Sequence, residues 1–463
     1  MRETTRPAIY RTMKYWGKKP HNIWGNYISK YCPKSGIVLD PFVGSGMTYF
    51  ETLKAGRIPI TIDINPVSDI SIKCLTKRNI DVEKLSSTAK KIISEVEQKD
   101  FYKNEYTCKC EKCCQEVEIY NYKINGNSTV TYKCENCGNV ITKQIVNYKE
   151  SDYVIDKWVP TKRLSDIESI STSFLKKIKD DKICNLWTNR NLKILSEIYD
   201  LILKTKDEEI KELLVFAFLQ CLHLTSKMCI PRNDKSNRPL STSWGRPAYM
   251  LSKKTFEQNP LLAFEKAVFN GTGILKAINS SNEYLGKYIK NEGKHYLGNA
   301  DKILEKLQEK SVDLVITDPP YGSIIQYGDL SEVWVSWLEH YRREYTIDHK
   351  HEIIVNKNKS INDYKNSLRN TFIKINRVLK NEGNFILTFN SNKKEDWDSL
   401  LYAIKNSDFY VEKIVYQKNK RSSEANVKAR EGIAISDYYL LCRKGKWVTD
   451  NISDFLDNWG IDL

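Results

Sequence analysis

The stretch Val315-Ile316-Thr317-Asp318-Pro319-Pro320-Tyr321-Gly322 holds residue types that can act on a planar amine. Two prolines stiffen the turn and leave the Pro319 carbonyl without a local partner. Asp318 and that carbonyl are two acceptors, matched to the two N–H donors of an exocyclic amine. Accepting both hydrogens aligns the nitrogen lone pair for attack, and Tyr321 offers a flat face to a base. A second stretch, Asp40-Pro41-Phe42-Val43-Gly44-Ser45-Gly46, is a Gly-rich turn. Its glycines let backbone approach a ligand where a Cβ would clash. About twenty residues on, Asp63 stands where a carboxylate accepts the ribose hydroxyls of a nucleoside. A third set is Cys110-Glu111-Lys112-Cys113 with Cys134-Glu135-Asn136-Cys137. Two such pairs joined by a hairpin give four thiolates on a tetrahedron, the ligand set of a structural Zn²⁺. Cys108 and Cys114 flank the first pair and are alternative ligands.

The elements that carry these residues read as α/β. Gly36 to Asp40 is a short buried strand, Met47 to Ala55 a helix and Ile58 to Ile64 a second strand. Strand, Gly-rich turn, helix and strand open a βαβ unit. The pattern resumes with strands at Lys294 to Leu297 and Asp313 to Thr317. A helix over Ile373 to Leu379, a strand at Asn384 to Phe389 and a helix over Trp397 to Ile404 follow. Strands at Val411 to Tyr416 and Asp437 to Cys442 close the series. The roughly 230 residues between the two parts are too many for a loop and must carry structure of their own. Within them, periodicity predicts a helix over 81–100 and two helices within 190–226. Asn125-Gly126 predicts the hairpin between the Cys pairs. Arg232 to Arg246, which includes Trp244, and Lys418 to Arg430 are basic stretches suited to phosphates.

Together these motifs resemble the DNA amino-methyltransferases, which use S-adenosylmethionine to methylate adenine N6 or cytosine N4. Asp40 to Gly46 looks like their cofactor motif, and Asp318-Pro319-Pro320-Tyr321 like their catalytic motif. Asn299-Ala300-Asp301 looks like the site for the cofactor adenine. Lys19-Pro20-His21-Asn22 looks like the segment lining the methionine end. Tyr327 to Leu338 and Tyr15 to Asn22 resemble a group of large adenine-specific methylases with a zinc-ribbon insertion. The resemblance covers about 1–70 and 290–445 well, and the insertion loosely.

The resemblance implies a Rossmann-like class I methyltransferase core, discontinuous, with a mainly helical insertion carrying a zinc ribbon. The expected division is 1–70 as first core part, 71–165 with the ribbon at 106–148, 166–290 for target recognition, and 291–463 as second core part. Asp318, Pro319, Pro320 and Tyr321 are the expected catalytic residues. Lys19, Pro20, Asp40, Phe42, Gly44, Gly46, Asp63 and Asp301 are the expected cofactor-binding ones. The expected activity is methylation of adenine N6 in a flipped-out base of double-stranded DNA. A restriction endonuclease is a candidate second partner.

Three other functions compete. Cytosine N4 is disfavoured by Asp-Pro-Pro-Tyr, since Ser-Pro-Pro-Tyr is commoner there. RNA guanine-N2 enzymes keep their two motifs close, whereas here they lie about 270 residues apart. A binding protein with a dead fold would not need Gly44, Gly46, Asp63, Asp318 and Tyr321 intact. No Pro-Cys nucleophile motif is present, which argues against cytosine C5 chemistry.

Composition fits this picture. The 463 residues amount to about three domains' worth of chain. With 41% hydrophobic and 28% charged residues, a disordered chain or a collagen is excluded. The net charge of +15 suits a polyanionic partner. Leu213 to Leu224 is the longest apolar stretch, well short of the ~20 residues of a membrane span. A cytoplasmic protein without membrane partners is expected. The remaining cysteines (Cys32, Cys74, Cys184, Cys221, Cys229 and Cys442) read as buried apolar fillers, and His295 as structural.

Overall fold

A computed structural model describes residues 3–124, 128–145, 151–231, 239–241, 248–285, 293–391, 393–418 and 436–447. In chain order the first part holds α1 (His21–Tyr31), β1 (Ile37–Asp40), α2 (Met47–Lys54), β2 (Ile58–Asp63) and α3 (Pro66–Thr76). The middle holds α4 (Val82–Glu97), α5 (Asp100–Tyr106), β3 (Thr107–Lys109), β4 (Glu116–Ile124), β5 (Thr129–Cys134) and β6 (Asn139–Gln144). It continues through α6 (Thr172–Leu175), α7 (Asn189–Leu203), α8 (Glu208–Leu222), β7 (Cys229–Pro231), β8 (Pro239–Ser241) and β9 (Thr255–Gln258) to α9 (Pro260–Phe269) and α10 (Ile274–Leu285). The last part holds β10 (Lys294–Leu297), α11 (Ala300–Leu304), β11 (Val312–Thr317), α12 (Tyr327–Tyr341), α13 (Ile361–Val378), β12 (Leu379–Phe389), α14 (Lys394–Lys405), β13 (Phe409–Lys418) and β14 (Ser436–Lys444).

Seven strands form the main sheet in the order β10-β2-β1-β11-β12-β14-β13. Neighbours from β10 to β12 are parallel, whereas β14 runs antiparallel to both β12 and β13. This mixed α/β architecture with a parallel sheet is consistent with a methyltransferase fold. The order turns back between β1 and β11, and open α/β sheets bind ligands outside the strand ends at such a point. β1 ends at Asp40 and β11 at Thr317, so both motifs emerge at that crevice.

Strand residues alternate between two buried faces, which explains why the strands read as unbroken apolar runs. Leu39, Val315, Phe385, Leu387 and Leu440 pack with Leu368, Phe372, Trp397 and Leu400 of α13 and α14. Val38, Leu314, Ile316, Ile386 and Leu441 point the other way, toward Ile23, Phe50 and Trp334. That second cluster runs on into Ile198, Leu214 and Phe218 of α7 and α8. The helices of the intervening segment thus share one continuous core with the main sheet.

The Cys-bearing segment folds as the antiparallel sheet β3-β4-β5-β6, with β9 paired to β4. Buried Arg190 of α7 fastens it: its guanidinium lies 2.9 Å from Glu257 of β9 and over the Tyr122 ring of β4. The predicted turn at Asn125-Gly126 falls outside the described residues. Among the described residues no helix is long and apolar enough to cross a membrane.

Candidate active site

A cavity of about 580 Å³ opens at the crevice between β1 and β11. Of the expected residues, Lys19, Asp40, Phe42, Gly44, Asp63, Asp301, Asp318 and Pro320 line it. Pro20, Gly46, Pro319 and Tyr321 do not belong to that lining. Pro20 instead caps the start of α1.

The Gly-rich turn is held from below by two acids. Asp40 Oδ1 accepts from the Phe42 N–H at 3.0 Å and from the Thr317 hydroxyl at 2.6 Å. Its Oδ2 accepts from the Thr48 hydroxyl. Burial pushes the Asp40 carboxyl up to about 7, against the pull of these three donors. Asp63 Oδ2 accepts from the Gly44 N–H at 2.6 Å, and Oδ1 from the Asn65 N–H at 2.8 Å. Burial raises Asp63 to about 6. Both acids thus hold the turn in place while lining the cavity, Asp40 through three donors and Asp63 through two backbone N–H groups.

The two glycines do different work. Gly44 has φ +52° and lies beside Tyr15, where a Cβ would come within 3.2 Å of the ring. Gly46 has φ +80° and packs away from the cavity, its missing Cβ facing Ile72 at 2.9 Å and Phe50 at 3.0 Å. Both turn glycines were expected at the ligand; only Gly44 lines the cavity.

At the other wall Asn299 caps α11, accepting from Asp301 N–H at 2.8 Å. Asp301 Oδ1 accepts from the Thr371 hydroxyl at 2.6 Å, which fixes its side chain. The segment His349 to Glu352 forms part of the lining. Glu352 Oε1 accepts from the Gly328 N–H at 2.8 Å, tying that segment to α12. His349 Nε2 pairs with the fully buried Glu332 at 2.8 Å.

Three donors converge on Oδ1 of Asp318: the Tyr321 hydroxyl, the Thr388 hydroxyl at 2.6 Å and Lys19 Nζ at 3.1 Å. Among the described residues no donor reaches its Oδ2, nor the Pro319 carbonyl. The next carbonyl, of Pro320, accepts from Tyr364 at 2.7 Å, which pins the turn. Among the described residues Asp318 Oδ2 and the Pro319 oxygen therefore keep no protein donor. Burial raises the Asp318 carboxyl, and Lys19 opposes that rise. The Tyr321 ring meets Phe389 edge-on at 4.9 Å, and its hydroxyl accepts from Lys19 at 2.7 Å.

Lys19 therefore touches the Asp-Pro-Pro-Tyr motif directly. Its ammonium also lies 3.0 Å from Asp437 Oδ1 on β14. Sequence reading gave no site role to Asp437, Thr388, Thr317 or Tyr327. Tyr327 stacks on Tyr15 at 5.9 Å beside the Gly-rich turn. Thr317 is adjacent to Asp318, and a hydroxyl ending a buried apolar strand was the one available signal.

The sulfurs of Cys110, Cys113, Cys134 and Cys137 lie within 4.8 Å of one another. Cys108 and Cys114 are outside this group. The Gln115 N–H and the Asn136 side chain lower the Cys113 thiol to about 6. The six remaining cysteines are all buried. The His295 side chain is 5% exposed and meets Thr61 at 3.0 Å, and burial lowers it to about 4. The basic side chains of Arg232 to Arg246 and Lys418 to Arg430, with Trp244, lie outside the described residues.

No curated protein matches the chain. A family model described as DNA methylase, of the N6/N4 type, matches residues 3–70 and 312–458. The first match carries the Gly-rich turn and Asp63, the second the Asp-Pro-Pro-Tyr motif, and together they support a DNA methyltransferase.

Proposed function

We propose that this chain transfers a methyl group to the N6 amine of adenine in double-stranded DNA, at a base turned out of the helix. The observation that carries the reading is the pair of open acceptors, Asp318 Oδ2 and the Pro319 carbonyl, beside a cavity walled by the Gly-rich turn. S-adenosylmethionine, when bound, supplies the activated methyl. The cavity suits it: Gly44 lacks a side chain at the wall, Asp63 faces in and Asp301 is fixed at the far side. Asp63 would take the ribose hydroxyls, and Asp301 the adenine end.

The chain's own part is placement. Asp318 and Pro319 accept the two amine hydrogens and hold the nitrogen lone pair toward the cavity. Much of the acceleration in such transfers comes from orientation. Tyr321 would leave its contact with Asp318 and offer its ring face to the base. Turning a base out costs a few kcal/mol, which contacts to the extruded base would offset.

The family description covers adenine N6 and cytosine N4 alike; Asp rather than Ser at 318 favours adenine. We assign target recognition to 166–290 and one structural Zn²⁺ to Cys110, Cys113, Cys134 and Cys137. The support for zinc is the convergence of four sulfurs. Methylation-sensitive long-read sequencing of DNA from cells expressing the gene tests the reading. N6-methyladenine at one recurring sequence is expected. N4-methylcytosine instead, or unmodified DNA, would overturn it.

A further inference from the structure

Lys19 stands 302 positions from Tyr321 in the chain, yet its ammonium sits inside the catalytic motif. It is 3.1 Å from Asp318 Oδ1 and 3.0 Å from Asp437 Oδ1, and it donates to Tyr321 at 2.7 Å. The side chains of Lys19 and Asp437 are 8% and 4% exposed. A strongly buried lysine is costly unless its charge is matched, and here two carboxylates match it.

The arrangement decides which form Asp318 takes. A carboxyl removed from water favours its neutral form. Oδ1 already receives three donors, so a proton would go to Oδ2. That is the oxygen left to accept the target amine. Protonation therefore replaces the needed acceptor with a donor. Tyr321, Tyr327 and Tyr439 also face this group, and burial raises all three, so they stay neutral. Thr388 is neutral as well. Lys19 is the cation that acts most strongly on Asp318, and Asp437 is a second anion facing it; Asp63, His349, Lys350, Glu352 and Lys359 line the same cavity.

We infer that Lys19 is a positioning residue that keeps Asp318 in its carboxylate form, with Asp437 as the second anchor of its ammonium. This rests on the methyltransferase reading. It gives the Lys-Pro step before α1 a part in the chemistry that cofactor contact alone would not.

The test compares pH profiles of methyl transfer to duplex DNA for the wild type, Lys19→Met and Asp437→Asn. An opposite charge at this distance lowers a carboxyl by about 1–3 units, so Lys19→Met should move the acidic limb up by about that much. Asparagine at 437 still accepts from Lys19 but carries no charge, so Asp437→Asn should move the limb down. A packing role for either residue would lower the rate at every pH without moving the limb. Carbon-13 titration of the Asp318 carboxyl, identified by its loss in Asp318→Asn, gives the same midpoints without turnover. If Lys19→Met fails to fold, the Asp437→Asn shift still decides. An unmoved midpoint in Lys19→Met, or an upward one in Asp437→Asn, overturns the inference. A wild type that transfers no methyl overturns the functional reading instead, and the carboxyl titration then still tests Lys19.

Discussion

The hydroxyl of Thr317 donates to Asp40 at 2.6 Å, joining the last residues of two neighbouring strands. Asp40 opens the Gly-rich turn and Thr317 precedes Asp318, so this bond sets one motif against the other. Both partners are buried. Thr317→Val keeps the shape and removes the donor, at a cost of about 1–3 kcal/mol. A lower thermal midpoint is expected, together with a loss of kcat larger than any rise in KM for DNA. Thr317→Ser should restore both.

The glycines should separate by phenotype. Gly46→Ala places a Cβ 2.9 Å from Ile72 at φ +80°, so it should destabilise the fold by about 1–3 kcal/mol. Gly44→Ala sets its Cβ 3.2 Å from the Tyr15 ring at the cavity wall, so weaker S-adenosylmethionine binding is expected in addition to a backbone cost at φ +52°. Denaturant unfolding and calorimetry on both variants distinguish the two roles.

In its proposed role at the ribose, Asp63 would give cofactor binding a pH dependence. Burial places its carboxyl near 6, so the ionised acceptor dominates above that pH and is lost below it. Affinity for S-adenosylmethionine should therefore fall as pH drops from 7 to 5. In Asp63→Asn that slope should flatten. Calorimetric titrations at several pH values check this.

His349 should contribute stability that depends on pH in the opposite sense. Burial alone would lower it, but Glu332 and Glu352 raise it to about 10. A raised histidine stabilises fully below its unfolded value near 6.5, and the contribution is lost as pH climbs through 10. His349→Gln should thus unfold at lower urea than the wild type at pH 6, with the gap closing above pH 10.

The four-cysteine group should hold one zinc ion per chain. Metal analysis should find it, and a strong chelator should unfold the small sheet. Because β9 pairs with β4, and Arg190 joins Glu257 there, the damage should spread into α7. Cys134→Ser should reproduce it, whereas Cys114→Ser, at an exposed position, should not.

Much of this was legible because the informative features are local. The turn from Asp40 to Gly46, Asp63 and the Asp318 motif each occupy a few adjacent residues, and the two Cys pairs announce themselves by spacing. The parallel strands were readable as apolar runs because both faces of the sheet are covered. The helix α12 was missed as an element although Leu330, Val333, Trp334, Trp337 and Leu338 repeat at helical spacing, because the stretch was read only as a motif. The partnership of Lys19 with Asp437 joins opposite ends of the chain and leaves no local trace. The three donors on Asp40 and the packing of Gly46 into the core were hidden for a related reason. A motif fixes which residues cluster, while their orientation depends on neighbours such as Thr317 and Ile72 from other elements.

The most direct measurement is transfer of labelled methyl from S-adenosylmethionine to duplex DNA of varied sequence, followed by digestion to nucleosides. Label in N6-methyl-2′-deoxyadenosine with the wild type, and none with Asp318→Ala that still binds the cofactor, is the expected result. Label absent from DNA with the wild type, or equal label with Asp318→Ala, would contradict the account.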